Sequence, residues 1–528
     1  MVVRFDPPEE PSGREPGFGT PGFVPAISPE LLERHGGRVL EPDRVVVNGW
    51  PEPGLRYQPT VYRPGILLIP GEIWGSKGGV VDDLLKQIGL RGEAATDPQA
   101  GVPVRILLRP RDDQTAATID SWHALQHLRA AAIVSDAEPP PPDVLTRAEV
   151  ERFSLEHLIA TTDATTVLKP WAISDAPGAS PARSSYRGRF PVVLAAAAPD
   201  RGNAARRPVI AVVDSGCLPH PLLDIFDPEI DQQLGDRFIT VAPDIQRIIT
   251  ASHGLNPPLP TRVIQGYWDG PATYEPLVGE LADAYGHGTF IAGIIRQAAP
   301  RARVLAIKAV HSDKIGYSGD ALIALREILN RVIDAQDNNR QDLMVDVVSF
   351  SAGYYDEWNG TPDLVHVLDG LICRGVVVVA AAGNEATDRP FYPAALATRR
   401  EVKNGGPQVI GVGALNPDGT TALFSNEDLW VTAWASGVNV VSLYPPETDG
   451  SETPERALPA KKRYSLDPDK FTGEYAVWSG TSFATPLVAA EVANRILAIG
   501  EQPGGPEITK VDRTTTVNRA RAALPKMP

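Results

Sequence analysis

The spacing of apolar residues changes character several times along this chain. Residues 1–30, which begin MVVRFDPPEEPSGREPG, carry no period and are rich in Pro, Gly and Glu, which predicts a disordered N-terminal tail. Over 31–135, GILLIPGEIW (65–74) and VPVRILLRP (102–110) read as strands. VVDDLLKQIGL (80–90) and TIDSWHALQHLRAAAI (118–133) have helical spacing. Strand, helix, strand, helix predicts a small α+β module. EPPPPD (138–143) then breaks the pattern, and LTRAEVERFSLEHLIATT (145–162) reads as helical in part. Loop-like stretches at 174–189 and 198–208 complete a linker and connecting segment over 136–204.

From about 205 the rhythm becomes short apolar strands alternating with amphipathic helices. The strands are PVIAVVDSG (208–216), RVLAIKAV (303–310), VDVVSFSAG (345–353), GVVVVAAAGN (375–384), PQVIGVGAL (407–415) and GVNVVSLY (437–444). Between them lie HGTFIAGIIRQAA (287–299), GDALIALREILNRVIDAQ (319–336) and TPDLVHVLDGLICRG (361–375). Strands that are apolar on both faces, alternating with helices, predict an α/β domain over 205–500. Its sheet is mostly parallel with helices on both faces. Residues 501–528 read as a C-terminal tail.

Composition narrows the function classes. A formal charge of −15 argues against a nucleic-acid partner. Two cysteines, Cys217 and Cys373, cannot build a disulfide framework, which fits a reducing, cytoplasmic setting. The N-terminal residues lack the apolar run of a secretory signal, and no run of 18 or more apolar residues predicts a membrane span.

The chemistry gathers at strand ends, where open α/β sheets place their sites. Asp214 follows VIAVV, Asn384 follows VVVVAAAG, His287 opens one helix between two glycines, and Ser482 opens another in SGTSFATP. Each has a plain structural reading as a turn or cap. Together they supply a carboxylate to orient an imidazole, a base for a hydroxyl nucleophile and an amide for an oxyanion. His123 and His127 are four apart on a helix, but no Glu follows His123, so they do not read as a zinc motif.

DSG at 214, HGT at 287, AAGN ending at 384 and GTSFATP around 482, in that order, resemble the subtilisin-like serine proteases, or subtilases, over about 205–500. The resemblance implies a seven-stranded parallel sheet. It also implies a catalytic triad of Asp214, His287 and Ser482, with Asn384 in the oxyanion hole. An extended protein or peptide substrate would lie beside Ser351, Ala352 and Gly353. Ala381, Ala382 and Gly383 would wall the first pocket, with Phe391 near its base. No cofactor is required. Calcium is a possible ligand in this family, but Leu222 in HPLL stands where the usual calcium-binding Asp would be. Phe290 and Phe483 also depart from the pattern, and 225–283 and 445–474 read as insertions flanking the cleft.

The expected function is an intracellular serine endopeptidase of narrow, processing type, with no membrane or nucleic-acid partner. The 31–135 module is either a cleavable inhibitor, cut between about 160 and 205, or a lasting recognition domain that brings a partner protein to the cleft. The alternatives are an occluded binding or regulatory protein with a latent site, and an esterase using the same groups.

Overall fold

The computed structural model describes residues 2–5, 27–42, 57–99, 101–113, 118–133, 142–162, 189–194, 198–254, 263–275, 279–358, 362–398, 409–446, 448, 456–457, 462–463 and 471–524. The chain opens with a three-residue strand, β1 (Val3–Phe5), inside the stretch expected to be a tail. The N-terminal module comes next: α1 (Pro29–His35), β2 (Arg38–Leu40), β3 (Thr60–Pro70), α2 (Gly71–Gln87), β4 (Leu90–Ala94), β5 (Pro103–Pro110), α3 (Ser121–Ala131), α4 (Arg147–Val150) and β6 (Ser154–Thr161). Ser28 caps α1, Asp120 caps α3, and Thr146 with Glu149 forms a capping box on α4. The module thus runs to Thr161, past the expected boundary at 135. Only four residues of 145–162 are helical. The rest, SLEHLIAT, is a strand buried between neighbours, and that burial comes from tertiary pairing.

The remaining elements are β7 (Phe190–Val193), β8 (Val209–Asp214), β9 (Ile225–Phe226), β10 (Ile239–Val241), α5 (Pro243–Ala251), β11 (Thr273–Glu275), β12 (Glu280–Leu281), α6 (His287–Ala298), β13 (Arg303–Lys308), β14 (Ile315–Tyr317), α7 (Ser318–Asp337), β15 (Val347–Phe350), β16 (Ala352–Gly353), α8 (Pro362–Ile372), β17 (Val377–Ala381), β18 (Ile410–Leu415), β19 (Ala433–Ser436), β20 (Val440–Leu443), β21 (Arg456–Ala457), β22 (Lys462–Arg463), β23 (Glu474–Trp478), α9 (Thr481–Gly500) and α10 (Arg513–Ala523). The central sheet has the order β1-β19-β18-β17-β15-β8-β13-β10-β9. All its pairings are parallel except β1 with β19. The segment 437–444, expected in this sheet, instead forms β20 in a separate sheet of order β20-β23-β7. β19 (AWAS) takes the place; short and Ala-rich, it carries little strand signal of its own. The expected C-terminal tail holds α10, which Asp512 caps and which buries Ala520 and Ala523 in the core beside α9.

One apolar core lies on each face of the central sheet. α6 and α9 cover one face, and α5, α7 and α8 the other. α9 is long and apolar enough to cross a bilayer by composition alone, but 72% of its most apolar window is buried inside the fold. The module has its own core around Trp122, Leu67 and Leu85. It is not free-standing, because Leu68 and Ile159 enter the core beneath α7.

Charge joins the two parts. Arg105 of β5, only 2% exposed, donates to Glu156 of β6 (2.6 Å) and to Asp320 of α7 (2.5 Å). His253 also reaches Asp320 (2.9 Å), and Arg63 reaches Glu156 (2.8 Å). Burial alone would raise the Asp320 pKa, but His253 and Arg105 hold it well below the usual carboxylate range. A second knot sits beside it. Asp313 takes Arg34 (2.9 Å) and His35 (2.9 Å), and these bring it down to about 2 against the effect of burial. Removing one partner of such a buried set strands charges that cannot reach water. Arg105→Met should therefore cost about 3–5 kcal/mol in the denaturation step that unfolds the module. A change below about 1 kcal/mol would mean these pairs behave as exposed ones do.

Candidate active site

Three strands of the central sheet end side by side, and their carboxyl ends carry the predicted groups. β8 closes on Asp214, β15 leads into Ser351, and β17 leads through Ala382 and Gly383 to Asn384. Two helices start at the same rim, α6 with His287 and α9 with Thr481 and Ser482. The first N–H groups of these helices have no partner within the helix and bond groups of the rim instead: Gly288 N donates to Ser215 Oγ (3.2 Å) and Thr481 N to Asn384 Oδ1 (3.0 Å). The helix starts come this close because glycine allows it. A side chain on Gly288 would collide with the Gly216 carbonyl, and Gly383 has φ 102°, with the Asn426 amide where a Cβ would sit.

His287 Nδ1 lies 2.7 Å from Asp214 Oδ1, which also accepts from Ser215 N at 2.7 Å. Asp214, His287 and Ser482 are all buried. Asn384 Oδ1 accepts from Thr481 N and Thr481 Oγ1, both at 3.0 Å, and its amide nitrogen donates to the Thr162 carbonyl. The imidazole packs against Trp478 (5.4 Å between ring centroids) and Phe483 (5.2 Å). Phe290 lies 4.6 Å from Phe483. The two phenylalanines that depart from the expected motifs thus touch each other and, with Trp478, form one aromatic wall around the imidazole.

The cleft is occupied by the chain itself. The second half of β6 lies antiparallel between β14 (Leu158 opposite Tyr317, Ala160 opposite Ile315) and β16 (Thr161 opposite Ala352, Ala160 opposite Gly353). Thr162 is the next residue. Its N–H donates to the Ser351 carbonyl (3.2 Å), and its own carbonyl accepts from Ser482 N (3.1 Å) and from the Asn384 side-chain amide. Ser482 Oγ donates to the Ser351 carbonyl (3.0 Å) and shares a hydrogen bond with Thr162 Oγ1 (2.8 Å). Ser351, Ala352 and Gly353 therefore run beside an extended segment that ends at the nucleophile candidate. Phe391 is buried against Gly353 and packs at a tilt on Tyr355, with 4.9 Å between ring centroids.

The family model for subtilases matches residues 205–516. The chain belongs to the subtilase family. It is 30% identical over 261 residues to the thermophilic serine proteinase of Bacillus sp. (strain AK1), covering 47% of this chain and 51% of that one. It is 30% identical over 225 residues to subtilisin E of Bacillus subtilis (strain 168), covering 40% and 45%. Against subtilisin BL of Lederbergia lenta the figures are 28% over 233 residues, 42% and 68%. The chain spans about half the length of the first two of these relatives.

Two groups of this subtilase escaped sequence reasoning. Thr162 carried no motif; only its place after an apolar stretch could have marked it. Asp269, inside the first insertion, accepts from Gly286 N (2.7 Å), Ser215 Oγ (3.1 Å) and Ser312 Oγ (2.9 Å), tying the DSG turn to the start of α6. Burial raises its pKa, against the pull of Lys308. The rest of that insertion supplies β9, β10, α5, β11 and β12, while 445–474 lies largely outside the described residues. Leu222 packs against the core, where a calcium ligand would need an oxygen. Cys217 is buried with its thiol 3.5 Å from the Gly288 carbonyl, and burial pushes its pKa up. His127 is bound to the Leu84 carbonyl (3.1 Å), and His123 is exposed.

One histidine cluster does hold the cleft strand. His157 of β6 reaches Glu357 (2.6 Å), with Asp356 at 3.9 Å, and all three are buried. Burial pulls the His157 pKa down, but Glu357, Asp356 and Glu156 outweigh it and the net shift is upward; that of Glu357 is lowered by His157 despite burial. The histidine's contribution is therefore complete below its ordinary value of about 6.5 and is lost as pH rises through the raised one. The Glu357 contribution is complete above about 4.3 and is lost as pH falls through the lowered one. β6 should be gripped most firmly in mildly acidic to neutral solution. Amide exchange of β6 in the Ser482→Ala chain should accelerate as pH rises above about 6.5, beyond the increase in the intrinsic chemical rate. His157→Gln should remove that excess; an unchanged excess would assign the pH response elsewhere.

Proposed function

We propose that this chain is a serine endopeptidase whose first substrate is its own polypeptide, cut between Thr162 and Asp163. The observation that carries the reading is the Thr162 carbonyl, held by the Ser482 N–H and the Asn384 amide beside the Ser482 hydroxyl. Those two donors suit the oxygen of a tetrahedral intermediate better than a neutral carbonyl, because charge develops there as the bond forms. Rotation about its Cα–Cβ bond frees Ser482 Oγ to attack the carbonyl carbon. His287 takes the hydroxyl proton, and Asp214 stabilises the resulting imidazolium through Nδ1. Collapse of the intermediate expels the amine of Asp163, which His287 protonates. Water then hydrolyses the acyl-enzyme, leaving a Thr162 carboxylate in the cleft.

In this reading residues 1–162 are at once the folding partner, the first product and the inhibitor of the peptidase. Substrate recognition uses main-chain hydrogen bonds to β14 and β16, with selectivity from the pocket of Ala381, Ala382, Gly383 and Phe391. A self-cut after a small hydroxylated residue supports narrow specificity. Two free cysteines support work in a reducing, cytoplasmic setting. The occupied cleft also favours the second reading, an occluded protein with a latent site, and the same experiment separates the two.

The wild-type chain should yield a fragment ending at Thr162 by intact mass and should take a fluorophosphonate label once that fragment is displaced. Ser482→Ala should stay whole and unlabelled. A wild type that remains intact and unlabelled would favour the occluded protein. Asn384→Ala should lower turnover roughly 100- to 1,000-fold with little change in KM; a loss confined to KM would remove Asn384 from the oxyanion role.

A further inference from the structure

The N-terminal fragment touches the peptidase domain at a second place, far from the cleft. β1 adds to the open edge of the central sheet, antiparallel to β19, with Val3 opposite Ala435, Arg4 opposite Trp434 and Phe5 opposite Ala433. The pairing extends by one residue, since Ser436 N donates to the Val2 carbonyl (3.2 Å) and Val2 N donates to Ser436 Oγ (3.3 Å). Val3 and Phe5 pack against the core on the α9 face, and the Arg495 guanidinium lies 4.9 Å from the centre of the Phe5 ring. In the sheet order, β1 is four strands from β15, whose extension borders β6. At about 4.8 Å per strand this is roughly 19 Å across the sheet.

We infer that β1 is a retention anchor, and that the β19 edge is a strand-addition site whose occupant is the amino-terminal segment of the protein's own cleaved fragment. The inference rests on the proposed cut after Thr162. Once that bond is hydrolysed, no peptide bond joins residues 1–162 to the rest of the chain, yet the fragment still grips it in two regions, the face of the module that carries β6, Arg105 and Arg34, and β1 on the sheet edge. β1 and β6 belong to one continuous stretch of chain. When β6 leaves the cleft, β1 keeps the fragment at hand, so its return is an intramolecular event and not a second-order one. The cut therefore does not by itself free the enzyme. The inhibitor stays as a reversible plug until β1 is also lost, for example by a second cleavage between the two grips. An edge cover would be explained by protection of β19 alone. What makes this cover an anchor is that its strand belongs to the inhibitor's side of the cut.

Val3→Asp/Phe5→Asp removes the two apolar contacts of β1 and leaves the triad, the cleft and β6 untouched. After processing, the wild type should remain one complex on dilution. The double variant should release peptide-hydrolysing activity at a concentration on the order of 100-fold higher than the wild type does. Superimposable dilution curves would overturn the anchor. The inference can fail separately from the proposed cut. In the Ser482→Ala chain, a foreign protease site inserted between 163 and 188 allows the same break to be made externally. The affinity of the two pieces, measured directly with and without the double substitution, should differ by the same order. Equal affinities there would dismiss the anchor whatever the wild type does to itself, while a difference there without self-cleavage would dismiss only the proposed cut. Deleting residues 1–5 should reproduce the double variant, and its thermal melting shows that the rest of the sheet still folds.

Discussion

The end of β6 is hydrogen-bonded on both sides, by β14 and by β16, and the arrangement of the molecule depends on that constraint. A strand so held cannot slide or rotate. A one-residue slip would turn every side chain to the opposite face and remove the Thr162 carbonyl from between its two donors. The first half of the same strand pairs with β3, so the register of the cleft passes directly into the sheet of the module. β14 and β16 thus share one sheet with β6, β3, β5 and β4, and that sheet carries strands from both parts of the chain.

The surface between module and peptidase domain is unusually charged for a buried one. Arg105, Arg63 and Glu156 face Asp320 and His253; Arg34 and His35 face Asp313; His157 faces Glu357. An apolar surface of the same size would hold at least as tightly. Paired charges instead impose one orientation, because any other leaves a carboxylate without its partner. They also make the contact responsive to protonation in a way that methyl groups cannot be. With β1 on β19, the N-terminal region is oriented by paired charges and held at the sheet edge as well.

Much of the peptidase domain was legible in the residues. β8, β13, β15, β17 and β18 fall inside the apolar runs that announced them, because strands buried on both faces must be apolar throughout. α6 and α7 lie within a residue of the expected spans. β19 and β10 were not legible, since three or four residues in a sheet borrow their stability from neighbours. The N-terminal region reads less well for the same reason. GEIW continues an apolar run but starts a helix, because Pro70 ends the strand and Gly71 packs too close to the Gln99 backbone for any side chain. SLEHLIAT contains two charged-type residues, Glu156 and His157, that look solvated in sequence and are buried in fact.

Residue chemistry alone pointed to the candidate groups, because a carboxylate, an imidazole, a hydroxyl and an amide at four strand and helix ends have few other uses in common. It also determined the fold class, through the alternation of doubly buried strands with amphipathic helices. Only the tertiary structure decided what lies in the cleft and what closes the sheet. Backbone hydrogen bonds carry those decisions: Thr162 enters the site through its N–H and C=O, and β1 joins β19 through the same groups. Every residue but proline offers that pair, so no side-chain pattern could have announced either contact.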